Sequence, residues 1–497
     1  RSIPLREMFY QGIEDGITVF NLSAGRNYNL NSTDPNDEDL ASAVRVRKLE
    51  QDIIVHAEGA TLVGLPGVQR YLKKPGALIR VEASDREPEA SDGVRFVWKG
   101  GSIETSSLPP SSPGRPTVGG FALIGRLHIE LESVFFDAGN TLPLGPVVGR
   151  GGGDQAVFAT GFESYLSHAC LFRGWPDLAE YLSNSRGQGS RHIGNFYKWC
   201  QRGIALKRYS SQAIIALNRW IENDVCIYNP ASDGKTDNHG GAFQILGNLF
   251  ERTQTRPIEI GGRFAAGSVV ASNRSLGHGR QISDGAENVV NERLAWLRVR
   301  CPGTIVSHNF VGMGNMALTK TAGKEQVGVI LGYSGGKVNT GADDCLCSGN
   351  IFDGVYQAYR LEANTFRNKI TDTIRINVIT NDMDAGDNAY PIRLNDDMSF
   401  ILAAPSDRAV LQLECDSTSD SAPNGAFNCT MTEQPNTTVW PSWSGHPASI
   451  NLSARISTAD SAPDNLFTIS SLSGAKVALI NRTGATLRIN PIWLRSS

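Results

Sequence analysis

The chain has 497 residues, 40% of them apolar, and its 47 Lys and Arg against 50 Asp and Glu leave a formal charge of -3. That balance excludes a nucleic-acid-coating polycation and an acidic tail, and without a run of about eighteen apolar residues no helix could cross a membrane. With 52 Gly and 23 Pro, Gly exceeds the usual share of about 7%, and few long helical patterns accompany it, so many tight turns are expected.

The start, Arg1-Ser2-Ile3-Pro4-Leu5-Arg6, carries neither Met nor a signal peptide and reads as a processed or truncated end. Residues 1–40 read as an entry or cap segment. Asp15 through Gly25 and then Tyr28-Asn29-Leu30 give strand, Gly turn, strand. Val44-Arg45-Val46-Arg47 alternates as a half-buried strand, and Ile53 through Leu62 continues the rhythm. Two interruptions are expected inside the region 41–385. Residues 101–120, with Leu108-Pro109-Pro110-Ser111-Ser112-Pro113, read as a loop excursion. Across 163–190, Pro176-Asp177-Leu178-Ala179-Glu180-Tyr181-Leu182 has helical character with Pro near a first turn, so a lateral helix or loop is expected.

Five segments share one ending, a short apolar stretch closed by Asn: Asn218, Asn248, Asn273, Asn309 and Asn350. Asn248 and Asn273 are 25 residues apart; Asn309 and Asn350 are 41 apart, room for one turn with an insertion or for two short turns. A period of this size signals a solenoid. Each unit is a brief strand, a polar corner and another strand, and it buries its apolar side only by stacking on its neighbours. The expected product is a right-handed parallel β-helix. The Asn residues are read as turn-holders, since Asn tolerates left-handed backbone and its amide can bond along a stack of equivalent corners. Asn381 through Asn388 forms a polar boundary. From about 395 to 497, strands such as Ala409 through Leu413 and Lys476 through Ile480 alternate with Ser/Asp/Asn/Pro turns, the pattern of a small antiparallel, sandwich-like β domain.

Cys170, Cys200 and Cys226 fall about one coil apart and read as small buried residues. Cys345 and Cys347 share one side of a strand and lack the partners of a zinc motif. Cys415 and Cys429 could form a local disulfide, which spacing alone does not establish. The eight His are dispersed, so no metal site is readable, and no cofactor motif is present; Gly151-Gly152-Gly153-Asp154 lacks the Lys-Ser/Thr of a phosphate loop.

Between Arg186 and Trp220, 35 residues hold seven cations and no Asp or Glu, interleaved with Tyr197, Trp199, Tyr209 and Trp220. Arg pairs carboxylates in bidentate fashion, and aromatic rings cover the apolar faces of sugars. Lys198, Trp199, Arg202, Lys207, Arg208, Tyr209 and Trp220 are therefore the candidate contacts to an anionic sugar polymer. A solvated basic face meeting an acidic neighbour in a trimer reads the same residues equally well, whereas the neutral overall charge argues against nucleic acid. Just beyond lie Glu222 and Asp224, expected on one face of a strand, and Asp233 and Asp237 in a loop. Glycoside hydrolysis needs two such carboxylates, so these four are the catalytic candidates. Asp177 with Glu180, and Glu251 with Glu259 and Arg263, compete with them. A lyase would instead neutralise a uronate carboxylate and remove the adjacent C5 proton with Lys, Arg, Tyr or His.

The order apolar strand, Ala-Gly, Tyr, strand, Gly59-Ala60-Thr61-Leu62, with the Asn-closed repeats, resembles phage tailspikes and pectin-lyase-like proteins over about residues 15–65 and 120–380. The resemblance implies a virion-surface or extracellular homotrimer whose C-terminal β domain aids trimer formation. It would bind and depolymerise a bacterial surface polysaccharide, with no cofactor. A secreted monomeric lyase or hydrolase, and a purely adhesive β-helix without turnover, are the rival expectations.

Overall fold

The computed structural model describes residues 3–32, 42–68, 76–83, 93–108, 118–141, 153–207, 212–229, 242–261, 265–279, 294–313, 325–332, 342–362, 365–380 and 382–384, and the C-terminal strands named below. The chain divides into two units. The first holds residues 1–364 and 368–383, the second 365–367 and 384–497.

Three twelve-stranded sheets build the first unit, each taking every third strand in the sequence. Sheet A opens with Val19–Asn21, sheet B with Asn27–Leu30 and sheet C with Val44–Leu49. All their strand pairings are parallel; for example Ile129 lies between Phe96 and Tyr165 in sheet A. One coil therefore contributes one strand to each sheet, and the fold is a right-handed parallel β-helix. The strands of sheets A and B are mostly three to five residues long, and in most of the three-residue ones the middle side chain points inward: Phe136, Phe172, Tyr197, Trp220 and Phe250 are all fully buried. Their rings form one column, with successive centroids 5.0, 4.9, 3.9 and 5.9 Å apart and ring planes within 11° of parallel. Parallel register puts equivalent positions one strand spacing apart, about 4.8 Å, which suits offset ring stacking.

The corner between sheets A and B carries a buried asparagine column. The backbone N–H of each residue donates to the side-chain oxygen of the next, from Cys170 to Asn195, then Asn218, Asn248, Asn273, Asn309 and Asn350, at 2.8–3.0 Å. Asn195 is a sixth member without an apolar strand closing on it in the sequence. The 41-residue step from Asn309 to Asn350 is a single coil with an insertion, because Ile305–Ser307 pairs directly with Leu346–Ser348. The asparagines themselves are not left-handed. The residue before each one is: Gly194, Leu217, Gly247, Ser272, His308 and Gly349 have φ between 55° and 65°. That residue reverses the chain, which turns the following amide inward to its partners.

Several expectations need correction. Residues 163–190 contain neither lateral helix nor loop. They form a complete coil, Ser164–His168, Leu171–Arg173 and Leu178–Ser183. The tertiary ladder overrides the local helical pattern, because Tyr181 pairs with Phe158 and with Ala205. In the excursion at 101–120, Ser102–Glu104 is a sheet B strand and Leu108 is buried; residues 109–117 lie outside the described residues. The entry segment holds a helix not foreseen, Ile3–Glu14. Leu5 and Phe9, one turn apart, are buried in the core, and Phe9 lies 4.8 Å from Phe20. This helix covers apolar side chains of the first coil, whose end would otherwise be open. Coiling also begins earlier than residue 41, since Val19–Asn21 already pairs with Ile53–His56.

The second unit has two antiparallel sheets. One runs Ile392–Leu394, Leu487–Arg495, Ala409–Ser417, Cys429–Glu433; the other runs Ser399–Ala403, Lys476–Asn481, Phe467–Leu472. Cys415 and Cys429 are register partners on adjacent strands.

Candidate functional site

Two strips of the first unit's surface gather the sequence-derived candidates. At the corner between sheets B and C, Trp199, Glu222 and Arg252 occupy equivalent positions in successive coils, all left-handed, with φ of 59°, 54° and 51°. The inversion turns the following residues, Cys200, Asn223 and Thr253, into the core, where the Cys200 N–H donates to Asn223 Oδ1 at 2.7 Å. The Trp199 indole N–H donates to Glu222 Oε2 at 2.9 Å, Arg252 Nη2 stands 3.4 Å from Glu222 Oε1, and Lys198 Nζ lies 4.0 Å from the Trp199 ring centre. Lys198, Trp199 and Glu222 are thus brought together, with Arg252 as an unforeseen fourth member.

The second strip is the outer face of sheet C. Register aligns Phe158, Tyr181, Ala205, Tyr228 and Glu259 in one row. Phe158 and Tyr181 stack at 5.1 Å and 15°, and Lys207 Nζ lies 5.2 Å from the Tyr181 ring. The Arg202 guanidinium lies 5.3 Å from the Tyr228 ring and 3.3 Å from Asp177 Oδ1. Glu259, nearly fully buried, sits between Arg256 and Arg300, each at 3.2 Å. Burial and then the Glu259 charge push the Tyr228 hydroxyl up, so it stays a neutral donor. Phe158, Tyr181, Arg202, Lys207 and Tyr228 are all half-buried. Phe158, Tyr181 and Tyr228 escaped sequence reasoning, although they recur at the coil period; the signal was spread over four coils rather than one window.

The remaining candidates separate. Trp220 cannot contact a ligand: its side chain is 0% exposed and stacked between Tyr197 and Phe250. Glu222 and Asp224 do not share a strand face. They flank buried Asn223 in the corner, and Asp224 accepts from Thr255 Oγ1 at 2.7 Å. Asp177 and Glu180 are not a helical pair, for Glu180 is sealed inside the coil, bound to His192, Tyr165 and Tyr197. Glu251 pairs with Arg219 at 2.7 Å, apart from Glu259. Arg208, Tyr209, Asp233, Asp237 and Arg263 lie outside the described residues. Burial pushes the thiols of Cys170, Cys200, Cys301 and Cys345 up to about 12, which keeps them protonated and unreactive. Among the described residues, no three His, Cys, Asp or Glu side chains gather as a metal site.

These features define the class as a right-handed parallel β-helix with an added antiparallel β unit. No protein-family model matches the chain, and no curated protein matches it. In structure it is similar to the tailspike protein of E. coli bacteriophage HK620 in complex with pentasaccharide, at 11% identity, covering 98% of this chain and 88% of that one, with a TM-score of 0.40. A single-site mutant of that tailspike with pentasaccharide gives 12%, the same coverage and 0.43. The alginate lyase from Paenibacillus sp. str. FPU-7 gives 10% identity, 73% and 99% coverage, and 0.36. The likeness is one of fold.

Proposed function

We propose that the chain is a tailspike-like receptor-binding protein that binds an acidic bacterial surface polysaccharide and depolymerises it, acting as a homotrimer at a virion surface or outside the cell. The observation that carries the reading is the sheet C row of half-buried rings with cations over them: Phe158–Tyr181 under Lys207, and Tyr228 under Arg202. Half-buried rings held by a rigid ladder give a sugar apolar surface to pack on at little cost in side-chain entropy. Their cations lie where a uronate or other acidic substituent would be met, and the Lys198–Trp199 pair at the corner extends the same chemistry. Glu222 is already engaged by Trp199 and Arg252, and Asp224 by Thr255, so the part of Glu222 at the corner is to orient Trp199.

The test is binding of the intact protein to acidic and neutral bacterial polysaccharides. Replacing Arg202 and Lys207 together with Ala should weaken binding to the acidic ligand by about tenfold or more, about 1.4 kcal/mol, with an unchanged melting temperature. Unaltered affinity would remove the assignment. Sedimentation of the same sample separates a trimer from a monomeric enzyme.

A further inference from the structure

An open groove of about 650 Å³ runs along the outer face of sheet A, away from both strips described above, and its lining includes Asp52, Arg95, His128, Glu130, Ser164 and Arg191. Its size falls in the range of about 300–1,000 Å³ usual for ligand sites. The sheet register sets its layout. Asp52 precedes the strand Ile53–His56, and His128 pairs with Arg95 on one side and Ser164 on the other. Glu130 pairs with Leu166, which pairs with Arg191. Arg95 is committed: its guanidinium is 3.5 Å from Glu130 Oε2, and its backbone N–H donates to Asp52 at 2.9 Å. Arg191 is exposed and has no ion-pair partner among the described residues. His128 Nδ1 lies 2.8 Å from Ser164 Oγ, which fixes the ring, and Nε2 has no hydrogen-bond partner among the described residues.

We propose that this groove is the cleavage centre, and that it cuts a uronate-containing chain by elimination; the idea rests on the polysaccharide reading above. Arg191 holds the uronate carboxylate and so offsets the charge that builds as C5 loses its proton. His128, with its Nδ1–H donating to Ser164 Oγ, takes the C5 proton on Nε2. The C5–H electron pair forms the C4–C5 double bond as the C4–O bond breaks. The departing oxygen recovers the proton from the His128 imidazolium, so the protein ends unchanged and no co-reactant is consumed. His128 and Arg191 lie two strands apart and two residues out of register, so their backbones are roughly 12 Å apart, with Arg191 at one end of the groove's lining and His128 in its middle. Glu130 and Asp52 are positioning residues that keep Arg95 against the groove wall.

The experiment follows ultraviolet absorbance of the unsaturated product and, in parallel, reducing ends, with the full chain acting on polygalacturonate, alginate and hyaluronan, and on dextran as a neutral control. His128 imidazole resonances are recorded during titration with galacturonate and glucuronate. Absorbing product from a uronate polymer is expected. H128Q should lower the rate by a factor of about 10²–10⁴ with binding retained, and R191Q should raise KM. Reducing ends without absorbance would mean hydrolysis and overturn the proposal. So would undiminished elimination by H128Q, or the absence of both absorbing product and any uronate-induced shift of His128. Binding by the Arg202 and Lys207 double variant separates the two readings. If that variant binds normally while H128Q stops turnover, the strip on sheet C is wrong and the groove stands.

Discussion

Asn248 shows how much one side chain can do in a stacked fold. Its Oδ1 accepts from both the backbone and the amide N–H of Asn218, each at 3.0 Å, while its own Nδ2 donates to the Ile215 carbonyl at 2.9 Å. All of this is out of reach of water, since Asn218 and Asn248 are each 1% exposed. Replacing Asn248 with Ala orphans buried donors at about 1–3 kcal/mol each, so N248A should lose about 2–4 kcal/mol by denaturant titration. N248D keeps the acceptor but places a charge against the Ile215 carbonyl, and should be worse. Glu180 makes a second case. Burial raises its carboxyl, but His192 and the hydroxyls of Tyr165 and Tyr197 outweigh burial and hold it below its ordinary value of 4.5. A folded value below the unfolded one means stability fully present above about pH 4.5 and lost as pH falls through the folded value. Wild-type stability should drop in acid over that window. E180Q should be less stable at neutral pH by about 3 kcal/mol or more, and should show a flatter acid limb. Parallel acid limbs in both proteins would remove Glu180 as the cause.

At the scale of the strand, the period was legible and the direction of side chains was not. The Asn-closed segments marked the corners because a buried amide column needs the same residue once per coil. The same spacing could not say that Trp220 faces inward. In Phe196-Tyr197-Lys198 and Arg219-Trp220-Ile221 the apolar and cationic residues lie too close together for a three-residue strand to show its face. Register decides it, by putting Trp220 over Tyr197. The helical character of Pro176 through Leu182 failed for a related reason, because a seven-residue window cannot weigh the ladder partners of Tyr181 that lie 23 and 24 positions away, Phe158 and Ala205. For the site, the sequence located the cationic window and part of its chemistry, but not the aromatic row built from one residue in each of several coils. Truncating Trp220 to Ala should therefore cost about 3–5 kcal/mol, with glycan binding reduced only as far as the fold loosens. G203A tests the same packing from the other side, because a Cβ there would meet Trp220 at 2.2 Å and the Cys226 carbonyl at 2.5 Å. Wild-type stability in either variant would contradict an inward Trp220.

Across the first unit, twelve strands per sheet give each face a length of roughly 50 Å at about 4.8 Å per step, long enough for several sugar residues in a row. The charge of the chain, -3 overall, gives no long-range pull on an acidic polymer. Attraction must come from local cations, and local attraction has a measurable signature. Exposed charges are screened beyond about 8 Å at 0.15 M salt and about 3 Å at 1 M. Affinity for an acidic polysaccharide should fall steadily as salt is raised through this range, while affinity for a neutral one should stay nearly level, because ring stacking carries no net charge. Removing Arg202 and Lys207 should flatten the acidic slope as well as lower the affinity, since two of the screened contacts are gone. A variant that binds more weakly but keeps the full salt slope would show that these side chains support the face sterically and that the cations meeting the polymer lie elsewhere, with Arg191 in the sheet A groove the next to replace.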